Sequence, residues 1–570
     1  MKWADLARVC ARASLIAPAS DQGLAEKARR ALLGLADYSF EFEHYDVGMN
    51  YTLWVLAALE AREILHPRLT AAERTKLDGF LGRYLAALSK NDDYWVEHEP
   101  GGKLNNHYAW HKLGLGMMGL FHHRPELVER ALRGPKGVEY MLAQGFKDDG
   151  LWLEGSIPYQ LAETAPLVIL ARMLEQTGHS ESLFQYRTSD GRSLKQAYDA
   201  LIPLLFPDRT LPALGDCYGR RPHLAEYPEW EVLYRQFREP AYAWLLADRG
   251  RRSLDALFHG VTDLPAAPPP PQPGKVWPEM GYVALRSDET TNYWSGRGWS
   301  AFATFSGQTV HEHADKLSLL LYGGGHLWLP DCEARPAAEH AFSSAIQRNL
   351  NRETLCHNTL LVDGRSQRVP GQRLQLLEFT NTLTLKRASF GDLDGRLYDG
   401  VRQLRTVALA EDYVLDFFQV TAAGKREFAW MIHVAGVAAG GSDHPTHPVA
   451  LPQTAPWSYL LDATSSAAAG GELWECFSHG RQHFRMDLLA DGPVEVIQCG
   501  FPVEDGPRAQ TIPMRLIQRR SDRAWFLAVY RLAGKTAEPA RLTVTPLSTN
   551  RMEITVRLGA RQAVYALPRL

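Results

Sequence analysis

His311-Glu312-His313, then Asp331, then His357-Asn358 are the residues whose types and spacing say most about chemistry in this chain. Imidazole nitrogens and a carboxylate are the donors that hold a zinc-like divalent ion. The surrounding stretch reads as β, with Ala301-Phe302-Ala303-Thr304-Phe305 before it and Leu317 to Tyr322 after it. Alternate side chains of a strand share a face, so His311 and His313 are expected to point the same way. A return strand would then carry Asp331 and His357 to the same point. Each histidine alone reads equally as a hydrogen-bonded residue of a β turn; the convergence of the set points to a metal. The spacing matches no closed, Cys-rich zinc module.

A second constellation stands far upstream. Asn105-Asn106-His107 opens a helical run from Tyr108 to Leu120. Asparagine is a good helix N-cap. The helix start also sets Asn106 and His107 at its positive end, where an anionic group is favoured. About fifty residues on, Glu154-Gly155-Ser156-Ile157-Pro158-Tyr159-Gln160 reads as a turn leading into another helix. Trp95, Trp110 and Trp152 lie close in sequence to these elements. Aromatic faces beside a polar cleft suit sugar rings, although tryptophans of helical domains more often sit in the core.

These residues must be carried by two different textures. The segment 264–274, Leu-Pro-Ala-Ala-Pro-Pro-Pro-Pro-Gln-Pro-Gly, is neither helix nor central strand and is expected to be an extended spacer. Before it, apolar residues recur at helical spacing in Leu53–Leu59, Leu77–Leu88, Leu113–Phe121, Leu127–Phe146, Leu161–Leu174 and Trp230–Leu246. Paired helices in a bundle, solenoid or toroid follow. After it, Leu360–Val362, Tyr413–Phe418, Trp525–Tyr530 and Met552–Val556 are strand-like, with turn residues between them. The expected division is a helical domain at 1–263, a linker at 264–275 and an antiparallel β-sandwich at 276–570, with a smaller C-terminal β subdomain from about 450.

At 570 residues the chain is too long for one core. A net charge of -3 argues against a nucleic-acid partner, which needs a broad basic surface. An anionic substrate stays compatible if the basic groups gather in one cleft. The six cysteines are scattered without a CxxC, so no disulfide framework is indicated. No apolar run reaches bilayer length, and no membrane partner is expected. The N-terminus carries Asp5, Arg8 and Arg12 where a signal peptide would be apolar. As it stands the sequence reads as cytoplasmic, or as periplasmic or secreted if a leader had been trimmed. Oligomeric state is not legible.

With Asn106-His107, the Gly155-Ser156…Tyr159 turn, His311-Glu312-His313-Ala314-Asp315, Asp331 and His357-Asn358-Thr359-Leu360-Leu361-Val362-Asp363-Gly364 together, the chain resembles the heparinase II/III-type polysaccharide lyases, which include oligoalginate and glycosaminoglycan lyases. The resemblance spans roughly residues 40 to 430. It implies an incomplete (α/α) toroid followed by an antiparallel β-sandwich. It assigns His313, Asp331 and His357 to a divalent metal, zinc above all with manganese or calcium left open, in a structural role. It assigns Asn106, His107, Tyr159 and His311 to catalysis. Glu154 stands where the family more often has Asp; with Trp110 and Arg352 it is a candidate substrate-binding residue. Arg335 and Arg348 are further candidates for a family arginine.

The implied reaction is β-elimination on a uronic acid polymer, leaving a 4,5-unsaturated uronate. Asn106, with His311 or an arginine, would neutralise the uronate carboxylate. His107 or Tyr159 would take the C5 proton, and Tyr159 would protonate the departing O4. Three other classes compete. A glycoside hydrolase needs two carboxyls across the scissile bond, for which Glu154 and Asp46 are available. A metal-dependent β-barrel oxygenase would use His311, His313 and His357. A non-catalytic carbohydrate-binding protein would need only the metal site and the aromatic residues.

Overall fold

A computed structural model describes residues 2–17, 23–40, 46–98, 103–248, 250–305, 310–331, 333–337, 340–368, 374–506 and 509–570. The chain divides into two compact units. The first comprises Met1–Leu153, Tyr159–Ala200 and Ala225–Ala267, and the second Glu154–Pro158, Leu201–Leu224 and Pro268–Leu570. The expected boundary near 264 is therefore too simple. Two short segments from the helical stretch, one of them carrying Glu154, belong to the β unit. The proline-rich segment holds neither helix nor strand, and it is no free spacer. Gln272 is buried and donates to the Ile202 carbonyl at 3.0 Å, and Trp294 and Arg286 donate to the Pro270 and Pro273 carbonyls.

Among the described residues the first unit is helical. Its helices are α1 (Lys2–Ile16), α2 (Gly23–Leu35), α3 (Val47–Leu65), α4 (Ala71–His98), α5 (His107–Phe121), α6 (Pro125–Arg133), α7 (Val138–Gln144), α8 (Ile157–Gln176), α9 (Leu194–Asp199), α10 (Glu229–Phe237), α11 (Pro240–Ala247) and α12 (Leu254–His259). Two apolar runs that read as single helices are each two. Gly134 and Pro135 separate α6 from α7. Arg238, with a left-handed φ of 54°, and Pro240 separate α10 from α11. Helix α5 packs on α3, α4 and α6. Three of its glycines make that possible: a Cβ at Gly114, Gly116 or Gly119 would lie 2.4 to 2.9 Å from side chains of α4, α8 or α6. No helix among the described residues is long and apolar enough to cross a membrane.

The second unit is antiparallel β. A five-stranded sheet in the order β1 (Lys275–Trp277), β2 (Tyr282–Arg286), β3 (Trp299–Thr304), β4 (Leu319–Gly323) and β5 (His326–Leu329) faces a twelve-stranded sheet running from Leu360–Val362 to Thr511–Arg531. Their inner faces share one core, with Val283, Trp299, Ala301 and Trp328 from the small sheet and Phe390, Val407, Phe418 and Trp430 from the large one. The long strand Tyr413–His433 is buried on both faces. Val414, Phe418 and Val420 point into that core; Tyr413, Leu415 and Phe417 point to a second core shared with Met552, Ile554 and Val556. The latter three belong to a separate sheet, Arg541–Ser548, Arg551–Leu558 and Arg561–Pro568. The C-terminal β piece thus begins at 541 rather than near 450. The strands between 447 and 502 pair into the large sheet instead.

A further expectation changes. His311 and His313 are not on a strand; they lie in the loop joining β3 to β4. Backbone bonds hold that loop in place. Leu317, at a positive φ of 64°, donates to Thr304 at 2.7 Å, and Ala314 donates to the Arg352 carbonyl at 2.9 Å.

A buried ion pair anchors the loops from inside the sandwich. Arg405 makes two bonds to Asp416, at 2.9 and 2.6 Å, and donates at 2.6 Å to the carbonyls of both Leu317 and Asn358. Both carbonyls belong to the loops that carry His313 and His357. Asn358 adds to the tie, donating to Leu319 and Pro330 carbonyls and accepting from His433 N–H. Removing one partner of such a pair strands the other charge. Arg405→Met should therefore cost about 3–5 kcal/mol in guanidinium unfolding; a loss below about 1 kcal/mol would show that the pair does not organise the sandwich.

Candidate functional site

In each unit a buried aspartate gathers two of the histidines that bear on chemistry. In the helical unit, Asn106 sits at the N-cap of α5 with a helical backbone and no side-chain cap bond. Capping falls to Asn105, whose Oδ1 accepts from His107 N–H at 3.1 Å. The buried Asn106 amide is thereby not consumed in capping. His107 opens the helix with its side chain 28% exposed. Its ring stacks on Trp95 at 4.6 Å and 24°, and its Nδ1 bonds Asp46 Oδ2.

One turn on, His111 presents Nε2 to the other oxygen of Asp46 at 2.9 Å, while its Nδ1 lies 3.4 Å from Asp92. Asp92 also receives Lys112 at 2.7 Å and Arg130. Residues four apart share a helix face, which explains why both imidazoles reach one carboxylate. Asp46 itself caps α3, accepting from Met49 N–H at 2.8 Å. Gly48 is required for the approach, because a Cβ there would lie 2.0 Å from the His111 ring. Burial raises the Asp46 carboxyl, but hydrogen bonds from His107 and His111 outweigh it and hold it well below the ordinary range. Asp92 is depressed in the same way by His111 and Lys112. For His111, burial is outweighed by Asp46 and Asp92, so its imidazole is raised.

Tyr159 is half-buried in the first turn of α8. Trp110, a candidate sugar platform, is 8% exposed. It faces the helix packing and lacks the open face that stacking needs; Trp152 is buried too. Trp95 is the tryptophan that borders the polar cluster.

In the β unit the hub is Asp216, which sequence reasoning missed. Its Oδ2 accepts from His311 Nδ1 and Arg352 Nη2, both at 2.7 Å. Its Oδ1 accepts from His313 Nε2 at 2.9 Å, Gln347 Nε2 at 2.8 Å and Arg352 Nε at 3.0 Å. Gly215, at a φ of 64°, lets the chain pass, since a Cβ there would lie 2.4 Å from the His311 carbonyl. Glu154 completes the surroundings of His311, with Oε1 3.4 Å from Nε2. Burial lowers the His311 imidazole, but Asp216 and Glu154 outweigh it and raise it overall. Arg352 is bidentate on Asp216 and lies 4.5 Å over the Phe342 ring, whereas Arg335 and Arg348 are exposed.

The expected metal triad is split. Asp216, His313 and Glu333 place ligand atoms within 4.8 Å of one another and form a group able to hold a metal ion. Two features argue against that set. Asp216 already accepts five hydrogen bonds, two from a guanidinium. Glu333 accepts from Cys217 N–H at 2.8 Å and Gly219 N–H at 3.1 Å, and burial pushes its carboxyl up to about 7. On the other side of His313, Nδ1 is buried without a hydrogen-bond partner among the described residues, and so is His357 Nε2. The two rings lie 5.3 Å apart. Asp331 bonds His357 through Nδ1 at 2.5 Å, so in this arrangement it orients that histidine from the nitrogen opposite the unpartnered one.

In the rival glycosidase pairing of Asp46 with Glu154, Asp46 is unsuited to the proton-donor role. A proton donor needs a raised pKa. Asp46 is instead held ionised between two imidazoles.

The depressed carboxyls of Asp46, Asp92 and Asp216 fix a pH dependence. Each contributes stability above the unfolded carboxyl value of about 4, and that stability is lost as pH falls through the folded value. Glu333, raised to about 7, acts oppositely and adds stability between neutral and mildly acid pH. Melting temperature should therefore hold or rise slightly down to about pH 5 and fall steeply below about pH 4. Asp216→Asn should melt lower at neutral pH and show a shallower acid limb; an unchanged acid slope would contradict this origin.

Comparison with known proteins agrees with both halves. The family profile described as "Heparinase II/III-like, C-terminal" matches residues 269–483, and that described as "Alginate lyase" matches residues 45–209. An alginate lyase of Stenotrophomonas maltophilia is 25% identical over 432 residues, covering 68% of this chain and 54% of the relative. An exo-oligoalginate lyase of Saccharophagus degradans is 22% identical over 413 residues, covering 66% and 53%. The chain thus spans about half the length of these two relatives. Among solved structures, heparinase III superposes with a TM-score of 0.69 at 13% identity, covering 97% of this chain and 80% of that one. A second heparinase III gives 0.64 at 13% identity, with 99% and 83% covered. At that identity the likeness is one of fold. Each of the two family profiles matches a stretch of one half of the chain, and over those stretches the chain is similar to heparinase II/III-type and alginate lyases.

Proposed function

We propose that the protein cleaves a uronate-containing polysaccharide by β-elimination, with alginate as the first substrate class to test. The observation that carries this reading is the Asn106–His107 start of α5. It sets a buried amide that does not cap the helix beside a part-exposed imidazole already bonded on one nitrogen. Both sequence relatives bear alginate lyase names, which favours alginate over glycosaminoglycans.

The C5 proton of a uronate is weakly acidic because the neighbouring carboxylate resists further negative charge. Asn106 donates to that carboxylate, and His311, raised by Asp216 and Glu154, adds a cationic donor. Donors aimed at the developing enolate charge contribute about 3 kcal/mol each. His107 Nε2 removes the C5 proton where it lies on that face, and the Tyr159 phenol delivers a proton to the departing O4. Where the geometry is syn, Tyr159 serves both steps. The products are a new reducing end and a 4,5-unsaturated uronate.

A divalent ion, zinc by preference, fits His313 and His357 through their unpartnered nitrogens, with Asp331 orienting His357 from its Nδ1. Its role is to brace the loop carrying His311, because elimination consumes no water for a metal to activate. Both loops are also tied to Arg405, so loss of the ion should loosen a part of the sandwich.

Incubation with alginate, heparan-type chains, chondroitin and hyaluronan should produce ultraviolet absorbance from a conjugated double bond on at least one polymer. Tyr159→Phe and His107→Gln should each lower kcat on it about 100-fold or more while the melting temperature holds. Polymer shortening without that absorbance would sink the reading. Elemental analysis should find about one zinc per chain. Chelation should lower melting temperature and activity together, and added zinc should restore both; full activity in the stripped protein would refute the bracing role.

A further inference from the structure

We infer that Asp46 is a positioning residue that fixes His107 with its Nδ1 protonated and its Nε2 turned to the substrate. This deepens the reaction proposed above and rests on the base role of His107 in it. An aspartate carboxylate only accepts, so the nitrogen facing it must carry the hydrogen. Asp46 Oδ2 faces His107 Nδ1, leaving the lone pair on Nε2.

What distinguishes this contact from an incidental one is how completely the carboxylate is immobilised. Oδ1 accepts from Met49 N–H at 2.8 Å and from His111 Nε2 at 2.9 Å. Those donors come from α3 and α5, so rotation of the carboxylate would break bonds to both helices. His111 is fully buried and backed by Asp92, which in turn holds Lys112 from α5 and Arg130 from α6. The second rotational freedom of His107 is removed by the Trp95 ring stacked on it. Carboxylate and indole together set both the tautomer and the plane of an imidazole whose edge remains part-exposed.

The proton count closes. The C5 proton passes to Nε2, and its C–H electron pair becomes the C4–C5 double bond as O4 leaves with a proton from Tyr159. Asp46 then faces an imidazolium and offsets its charge until Nε2 gives its proton to solvent and solvent returns one to the Tyr159 phenolate. His111 cannot substitute, because both of its nitrogens face carboxylates.

Asp46→Asn tests this cleanly, since asparagine still caps α3 but presents an amide to His107. Nitrogen-15 NMR of the imidazoles, with His107 assigned by its loss in His107→Gln, should show the wild type with Nδ1 protonated and Nε2 bare near neutral pH. Asp46→Asn should shift His107 toward the opposite tautomer and lower kcat about 100-fold or more, with KM within about threefold. On a His107→Gln background the same change should cost nothing further. A wild-type spectrum with Nε2 protonated would overturn the inference, and that spectrum decides even if the variant fails to fold. A kcat within about threefold of wild type in a folded Asp46→Asn would overturn it as well. A fixed Nδ1–H tautomer in a wild type that eliminates no uronan would sink the lyase reading and leave the positioning intact.

Discussion

The Asp216 carboxylate is the constraint on which the β unit's polar cluster depends. Burying it in a sandwich loop costs several kcal/mol unless every lone pair is met. Five hydrogen bonds meet them, from His311, His313, Gln347 and Arg352. These donors lie 95 to 136 residues away along the chain. One anion thereby gathers the β3–β4 loop and the segment before His357, and without it two imidazoles and a guanidinium would lose their shared partner. The β-sheets beneath supply the second half of the solution. Arg405 and Asp416 in their core hold the Leu317 and Asn358 carbonyls from below.

The helical unit uses the same device. Asp46 stands between His107 and His111 as Asp216 stands between His311 and His313. In each pair one imidazole is the reacting group of the proposal and the other belongs to the framework: His111 is locked between Asp46 and Asp92, and His313 lies against His357. A carboxylate shared by two histidines fixes the tautomer of both, which a lone histidine on a loop or helix end lacks. The chemistry proposed for this chain needs such fixed tautomers, because proton abstraction and carboxylate neutralisation call on different protonation states.

Much of the architecture was legible in the sequence. Helical spacing before residue 264 and strand alternation after it reflect burial on one helix stripe or one sheet face, and these periodicities do not depend on long-range contacts. Boundaries were less legible where punctuation was local: Gly134-Pro135 and Arg238 break helices that apolar spacing alone joins. His311 and His313 looked like strand residues because alternation is also what a well-anchored loop displays when two side chains turn to one partner. That partner, Asp216, lies in a Gly-Asp-Cys stretch with no periodicity and no motif, so nothing local marked it. Asp46 carried a signal of a kind, an acidic residue before a helical run, but capping explains that equally well. The tryptophans misled in the opposite direction: Trp110 packs inward while Trp95 borders His107, a distinction set by helix phase within tertiary packing.

Mass analysis of the products from a defined oligouronate tests the central claim most directly. Elimination moves a proton and an electron pair within the substrate, so the two product masses should sum to that of the substrate, with the unsaturated residue on the fragment that carried the new non-reducing end. Products whose masses together exceed the substrate by one water would mean hydrolysis, and the eliminating roles of Asn106, His107, Tyr159 and His311 would be wrong.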